Sequence, residues 1–154
     1  MTYKYLSFSI AIAFISFIVG MTLNAIVKRT DAYNNKLSNL NFVKSEKLNE
    51  WIGVGVVKWI VKNTPFKYFN QKLKLSNKIE KSDLLILRKE MTSSEIDHLI
   101  GFAFVTIFAL VKFYKTELVF GLTILIVNVL MNLYPSLLQQ QNKRRIDKLI
   151  KKLI

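Results

Sequence analysis

The sequence predicts an all-α integral membrane protein, with three transmembrane helices at about residues 5–27, 96–114 and 118–138 and a basic, mostly helical segment between the first two. Three observations lead there. The 154-residue chain is 51% hydrophobic, yet it carries 23 Lys and Arg against 10 Asp and Glu, a formal net charge of +13. A soluble domain this small has too little interior to hide that much apolar surface. The apolar residues are gathered in long runs with the charges between them, the segregation that a bilayer imposes. Disorder is excluded by the aliphatic and aromatic content. The absence of cysteine excludes a disulfide scaffold, thiol catalysis and iron–sulfur chemistry. We read residues 1–154 as a single membrane domain.

The first run, residues 5–27, holds no formal charge and is bounded by Lys4 and by Lys28-Arg29. As a helix it is about 34 Å long, enough for a hydrocarbon core of about 30 Å. It is too long for a cleaved signal peptide, and cleavage would send the basic segment across the membrane. Residues 99–111 form a shorter run, completed to spanning length by 96–98 and by Lys112-Phe113-Tyr114, with Lys112 snorkelling. Lys115-Thr116-Glu117 then turns a tight hairpin into the third run, 118–138, and Pro135 is expected to kink this helix and free the carbonyl of Met131.

Charge placement gives the topology. Residues 28–96 carry 14 Lys and Arg, and the tail from 139 onward carries six. The positive-inside rule puts both in the cytoplasm, and the N-terminus and hairpin turn outside. The same excess attracts anionic lipid headgroups. It flanks apolar spans and forms no recognisable nucleic-acid module, so nucleic acid is not an expected partner.

Residues 28–50 are polar with loosely helical leucines. Residues 51–66 are too short and too interrupted by Lys58 and Lys62 to span a bilayer. Trp51, Trp59 and lysines four apart suit a helix lying in the membrane interface, ended by Asn63-Thr64-Pro65. Two glycines and four valines leave a short strand open. Residues 67–89 alternate leucine and lysine without a clean period and read as short surface helices.

Two groups of polar residues sit where polarity is costly. Glu95 and His98 are three apart at the start of the second span and so share a helix face. A carboxylate beside an imidazole can set its tautomer and raise its basicity, as a general base requires. Thr92-x-x-Glu95 also fits a capping box, which accounts for the glutamate without catalysis. At the end of the third span, Asn132, Gln139, Asn142 and Arg145 recur at steps of seven, three and three, on one broad face. Such amides also serve as ordinary glue between helices. The hairpin places the two groups at the same depth, near the cytosolic boundary.

The order of these features resembles the glycosyl-4,4′-diaponeurosporenoate acyltransferase family. The resemblance rests on Asn41-Phe42, Glu46, Trp51, Val57-Lys58-Trp59 and Pro65, then Glu95-x-x-His98, an apolar hairpin and Asn132-x-Tyr134-Pro135-x-x-x-Gln139-x-x-Asn142-x-x-Arg145. It covers roughly residues 40–150. Ser93 and Ser94 stand where the family has basic residues and an alanine, and Lys143-Arg144-Arg145 lacks the family's proline.

The resemblance implies transfer of a fatty acyl group to a sugar hydroxyl of a glycosylated carotenoid or other glycolipid. The reaction would take place at the cytosolic face of a bacterial-type inner membrane. It casts His98 as the base and Glu95 as its orienting carboxylate, and makes Asn132, Gln139, Asn142, Arg145, Lys143 and Trp59 substrate-binding residues. Asn132 or Gln139 would meet the developing oxyanion, while Arg145 and Lys143 would hold the phosphate of an acyl carrier (CoA or a carrier protein) acting as co-substrate. The partners implied are the anionic bilayer and a lipid-linked substrate; the oligomeric state is left open. No bound cofactor is expected. One histidine and no cysteine make a metal site improbable. The rival reading is a non-enzymatic membrane subunit whose polar faces pair with a partner protein, with Gly101, Ala103 and Gly121 permitting close approach. Three helices give no inverted repeat, which disfavours a transporter.

Overall fold

The computed structural model describes residues 2–63 and 80–153, and these are predominantly helical, with turns and short irregular stretches between the helices and no strand among them. Helix α1 spans Thr2–Val27. A short α2, Asp31–Asn35, is opened by Thr30, whose hydroxyl accepts from the Tyr33 amide, and is followed by a 3₁₀ turn at Leu37–Asn39. Helices α3 (Glu46–Trp51) and α4 (Val54–Asn63) are separated by Ile52 and Gly53. Gly53 has φ +82°, a conformation that glycine adopts without strain, so the 51–63 stretch bends into two helices. Helix α5 runs over Lys81–Tyr114 and α6 over Leu118–Asn128; a π-helical turn, Val129–Leu133, leads directly into α7, Tyr134–Lys152.

Three of these helical stretches, Tyr3–Val27, Lys81–Tyr114 and Leu118–Lys152, are long and apolar enough to cross a membrane. Their packing is inverted relative to a soluble bundle. The inner face of α1 is mostly small or polar, with Ser9, Ala13, Ser16, Gly20 and Asn24 at helical steps of three and four and Ile12 as its large apolar member. Its outer face exposes Phe14, Ile15, Ile18, Met21 and Ile26. Such a surface is stable against lipid and not against water.

Small residues let the helices meet closely. A Cβ on Gly20 would run into the backbone carbonyl of Asp97, and one on Gly121 would sit 2.5 Å from the Phe113 ring. Polar side chains then bind the helices together. Asn132 donates to Ser16 Oγ (3.1 Å) and to Asn128 Oδ1 (2.9 Å), and Asn128 donates in turn to the Phe102 carbonyl (2.9 Å) and Thr106 Oγ1 (3.1 Å). The three-residue turn forms as expected, with Thr116 at φ 59° and Lys112 paired to Glu117 at 3.2 Å.

The second long helix starts at Lys81, fifteen residues before the expected boundary. Residues 81–89 belong to this continuous helix and not to short surface helices; 67–79 lie outside the described residues. Its start is capped by Asp83, whose carboxylate accepts from the Glu80 amide at 3.2 Å. Thr92 and Glu95 lie in mid-helix, and Thr92 bonds back to the Arg88 carbonyl (2.9 Å), so the expected capping box does not form. Leu84, Leu87 and Ile146 bury one another where α5 and α7 cross, which carries the helix beyond its apolar run.

Near Pro135 the chain widens and does not break. The Tyr134 amide bonds to the Val129 carbonyl, five residues back, in the π turn. Proline has no N–H to offer the preceding turn, and the wider winding accommodates this in place of a gap.

Candidate functional site

Polar groups gather at the basic end of the bundle, where α5 and α7 cross beneath the segment running from α2 to α3. Glu95 is wholly buried and its carboxylate is in direct contact with the ammonium of Lys143, itself 3% exposed. Gln140 Nε2 donates to the other carboxylate oxygen at 2.8 Å. Lys143 also donates to the carbonyls of Ser38 (3.2 Å) and Leu40 (3.4 Å), so each of its three N–H groups has an acceptor. Gln140 Oε1 accepts from the Phe42 amide at 2.9 Å, and Arg144 donates to Asn41 Oδ1 at 2.6 Å. These side chains of α7 strap the 38–42 segment to the bundle. Arg88 adds an ion pair to Asp147 at 2.6 Å.

His98 does not meet Glu95. Its ring stands edge-on to Phe17 at 5.5 Å and meets the Asn132 side chain, and its buried Nδ1 has no hydrogen-bond partner among the described residues. The shared face expected from three-residue spacing is thus divided: the carboxylate turns to α7, the imidazole to α1 and the π turn.

A cleft of about 790 Å³ opens alongside, between the end of α1, α2, the 3₁₀ turn and residues 87–97 of α5. Asp97, Ser93, Ser94, Tyr33 and Gln139 line it, with Lys28, Arg88 and Lys89 among its charged neighbours. Asn24, buried in α1, donates to Asp97 Oδ1 at 2.6 Å and to the Ser93 carbonyl at 3.0 Å. Burial pushes the Tyr33 phenol above its ordinary pKa, and the carboxylates of Asp97 and Glu95 push it further.

The residues singled out from the sequence are therefore only partly together. Glu95 and Lys143 touch; His98 and Asn132 touch; Gln139 reaches the cleft. Arg145 and Trp59 are exposed, and Asn142 is half-buried with no polar side-chain contact among the described residues. Beyond Pro135 the most deeply buried positions in the later turns of α7 are Gln140, Lys143 and Ile146, at 1%, 3% and 4% exposure. Each lies one residue after an expected member of the face, Gln139, Asn142 or Arg145. The π turn supplies the offset, since it takes up one extra residue and rotates the remainder of the helix by roughly 100° relative to an unbroken α-helix.

Gln140, Asn24, Asp97 and Tyr33 escaped the sequence reading. Three consecutive glutamines cannot be ranked by composition. An asparagine inside an apolar run was the one available signal for Asn24.

No curated protein and no solved structure matches this chain. A family model does, described as CrtO, glycosyl-4,4′-diaponeurosporenoate acyltransferase, over residues 29–152. With most of its length matched, from the end of α1 through the cleft and strap to the last turn of α7, the chain belongs to the glycosyl-4,4′-diaponeurosporenoate acyltransferase family.

Proposed function

We propose that the protein moves a fatty acyl group from a carrier onto a sugar hydroxyl of a glycosylated carotenoid or related glycolipid. We place the reaction at the cytosolic interface of a bacterial cell membrane, where the positive-inside rule puts the basic end. Beyond the family match, one observation carries this reading: the chain's single histidine keeps a buried, unpartnered Nδ1 at the basic end of the bundle, next in sequence to the cleft-lining Asp97.

In this mechanism His98 Nδ1 takes the proton of the attacking hydroxyl while the sugar oxygen bonds to the acyl carbonyl carbon. The tetrahedral oxyanion collapses and breaks the bond to the carrier, whose sulfur leaves with the proton returned by His98. Asn132 orients the ring, the part first expected of Glu95. The Asn132 amide protons are already spent on Ser16 and Asn128, which leaves Gln139 as the better donor to the oxyanion. Lys143 is committed to Glu95, so exposed cations such as Arg145, Lys28 and Lys89 are better placed for the carrier's phosphate. Glu95 holds the strap through Lys143 and Gln140.

Less speaks for the rival scaffold reading: Ser16, Asn128 and Asn132 pair with one another, and Gly101 and Gly121 meet neighbours within the chain, whereas Ala103 is exposed. Lipid mass spectrometry of membranes carrying the His98→Ala protein tests the mechanism. Loss of the acylated glycolipid is expected, and an unchanged yield removes His98 from it.

A further inference from the structure

The cleft has a chemistry of its own. Asp97 is its one floor carboxylate held by an amide, and only half of that carboxylate is used. Oδ1 accepts from Asn24, while Oδ2 takes no hydrogen bond from the described residues, and no Lys, Arg or His among them lies within ion-pair distance. Its backbone is fixed as well, since the Asp97 carbonyl is packed against Gly20, where no side chain fits. Around it stand neutral groups that both donate and accept: Tyr33, Ser93, Ser94, Asn34 and the Gln139 amide.

Phosphate is a poor fit for this floor. Arg88 is already bound to Asp147 and to Asn39. The exposed Lys28 and Lys89 also line the cleft and suit a carrier's phosphate, but an anion reaching the floor would meet the carboxylate of Asp97, and Glu90 adds a second carboxylate to the lining. Like charges at close range in a half-buried site repel strongly. A carboxylate oxygen without a donor calls for a neutral O–H. Vicinal hydroxyls can be gripped by Asp97 while their oxygens accept from serine, asparagine or glutamine.

We propose that this cleft binds an uncharged, polyhydroxylated lipid headgroup and that Asp97, held by Asn24, is its positioning residue. This deepens the acyl-transfer reading and rests on it for the identity of the acceptor; binding itself needs no acyl donor. Asp97 adjoins His98 in sequence but stands about 100° from it around α5, and His98, turned to Phe17 and Asn132, is not among the residues lining the cleft.

The test is competitive retention in native mass spectrometry of the full-length protein. The probes are a monoglucosyl diacylglycerol, phosphatidylglycerol and diacylglycerol with the same chains. The glucosyl lipid is expected to be retained over both others. Asp97→Asn keeps the size and the Asn24 contact but loses the charge, and is expected to weaken that retention about tenfold, as for a lost hydrogen bond to a charged acceptor. Its melting temperature should match the unaltered protein. Asp97→Glu is expected to restore part of the preference, which a purely structural role would not predict. Preferential retention of phosphatidylglycerol, abolished by Lys28→Gln with Lys89→Gln, would make the cleft an anion site and overturn the proposal. Equal retention of all three lipids overturns it too. If the glucosyl lipid binds through Asp97 and yet no acyl transfer is detected, the cleft assignment stands and the acyl-transfer reading falls.

Discussion

The ammonium of Lys143 on α7 and the carboxylate of Glu95 on α5 form an ion pair sealed from solvent, with Gln140 and the carbonyls of Ser38 and Leu40 completing its hydrogen bonds. Removing one partner strands the other charge. Lys143→Met is therefore expected to destabilise the protein by about 3–5 kcal/mol, and pairing it with Glu95→Gln to recover much of the loss. Thermal unfolding of the two single variants and the double variant in detergent measures the coupling. Additive effects would mean the pair does not exist.

At Gly20 the backbones of α1 and α5 come into close contact. Gly20→Ala puts a methyl group against the Asp97 carbonyl, a backbone atom that cannot swing aside. A loss of about 1–3 kcal/mol is expected for this overpacking. Calorimetry showing no loss would place the two helices further apart.

The inward face of α7 can be read by cross-linking, because the chain has no native thiol. Leu87 and Ile146 share a buried cluster, whereas Arg145 is exposed. A short thiol cross-linker should join Leu87→Cys to Ile146→Cys and leave Leu87→Cys with Arg145→Cys unjoined. The reverse preference would mean that the π turn is absent.

Both tryptophans lie on α3 and α4, with Trp51 84% and Trp59 65% exposed. Helix α4 rests its buried Val54 on Leu137 and Leu138, at the end of the third apolar run. That position and the interfacial preference of indole predict that both rings sit at headgroup level. Fluorescence should be quenched more by bromine near the glycerol backbone than at the acyl-chain ends. Quenching by an aqueous agent alone would take α4 off the membrane.

Tyr33 sets an alkaline limit. Its folded pKa is raised above the ordinary value near 10, first by burial and then by Asp97 and Glu95, so the fold favours the protonated phenol. That stability is fully present below the unfolded pKa and is lost as pH rises through the folded one. Unfolding measured from about pH 9 upward should show a fall that Tyr33→Phe flattens.

The three spans were legible because uninterrupted apolar runs leave a chain little alternative. The start of α5 was not, since Leu84 and Leu87 turn inward while Leu85 and Ile86 remain exposed, and only contact with α7 distinguishes these neighbours. At the site, Glu95 and His98 were visible as costly polar residues. Their separate partners were not, because a change of winding between Asn128 and Tyr134 shifts every later side chain by one position. Nothing in a periodicity count marks that change except the proline just beyond it.

Helix α5 is also a lever. Thirty-four residues make a rod about 51 Å long, well beyond a hydrocarbon core of about 30 Å. The cleft's α5 residues therefore ride on the same rigid shaft as the lipid-immersed half, with no hinge between them. Thinner or thicker bilayers tilt such a shaft to relieve hydrophobic mismatch, and that tilt raises or lowers Asp97 relative to the plane in which a lipid headgroup arrives.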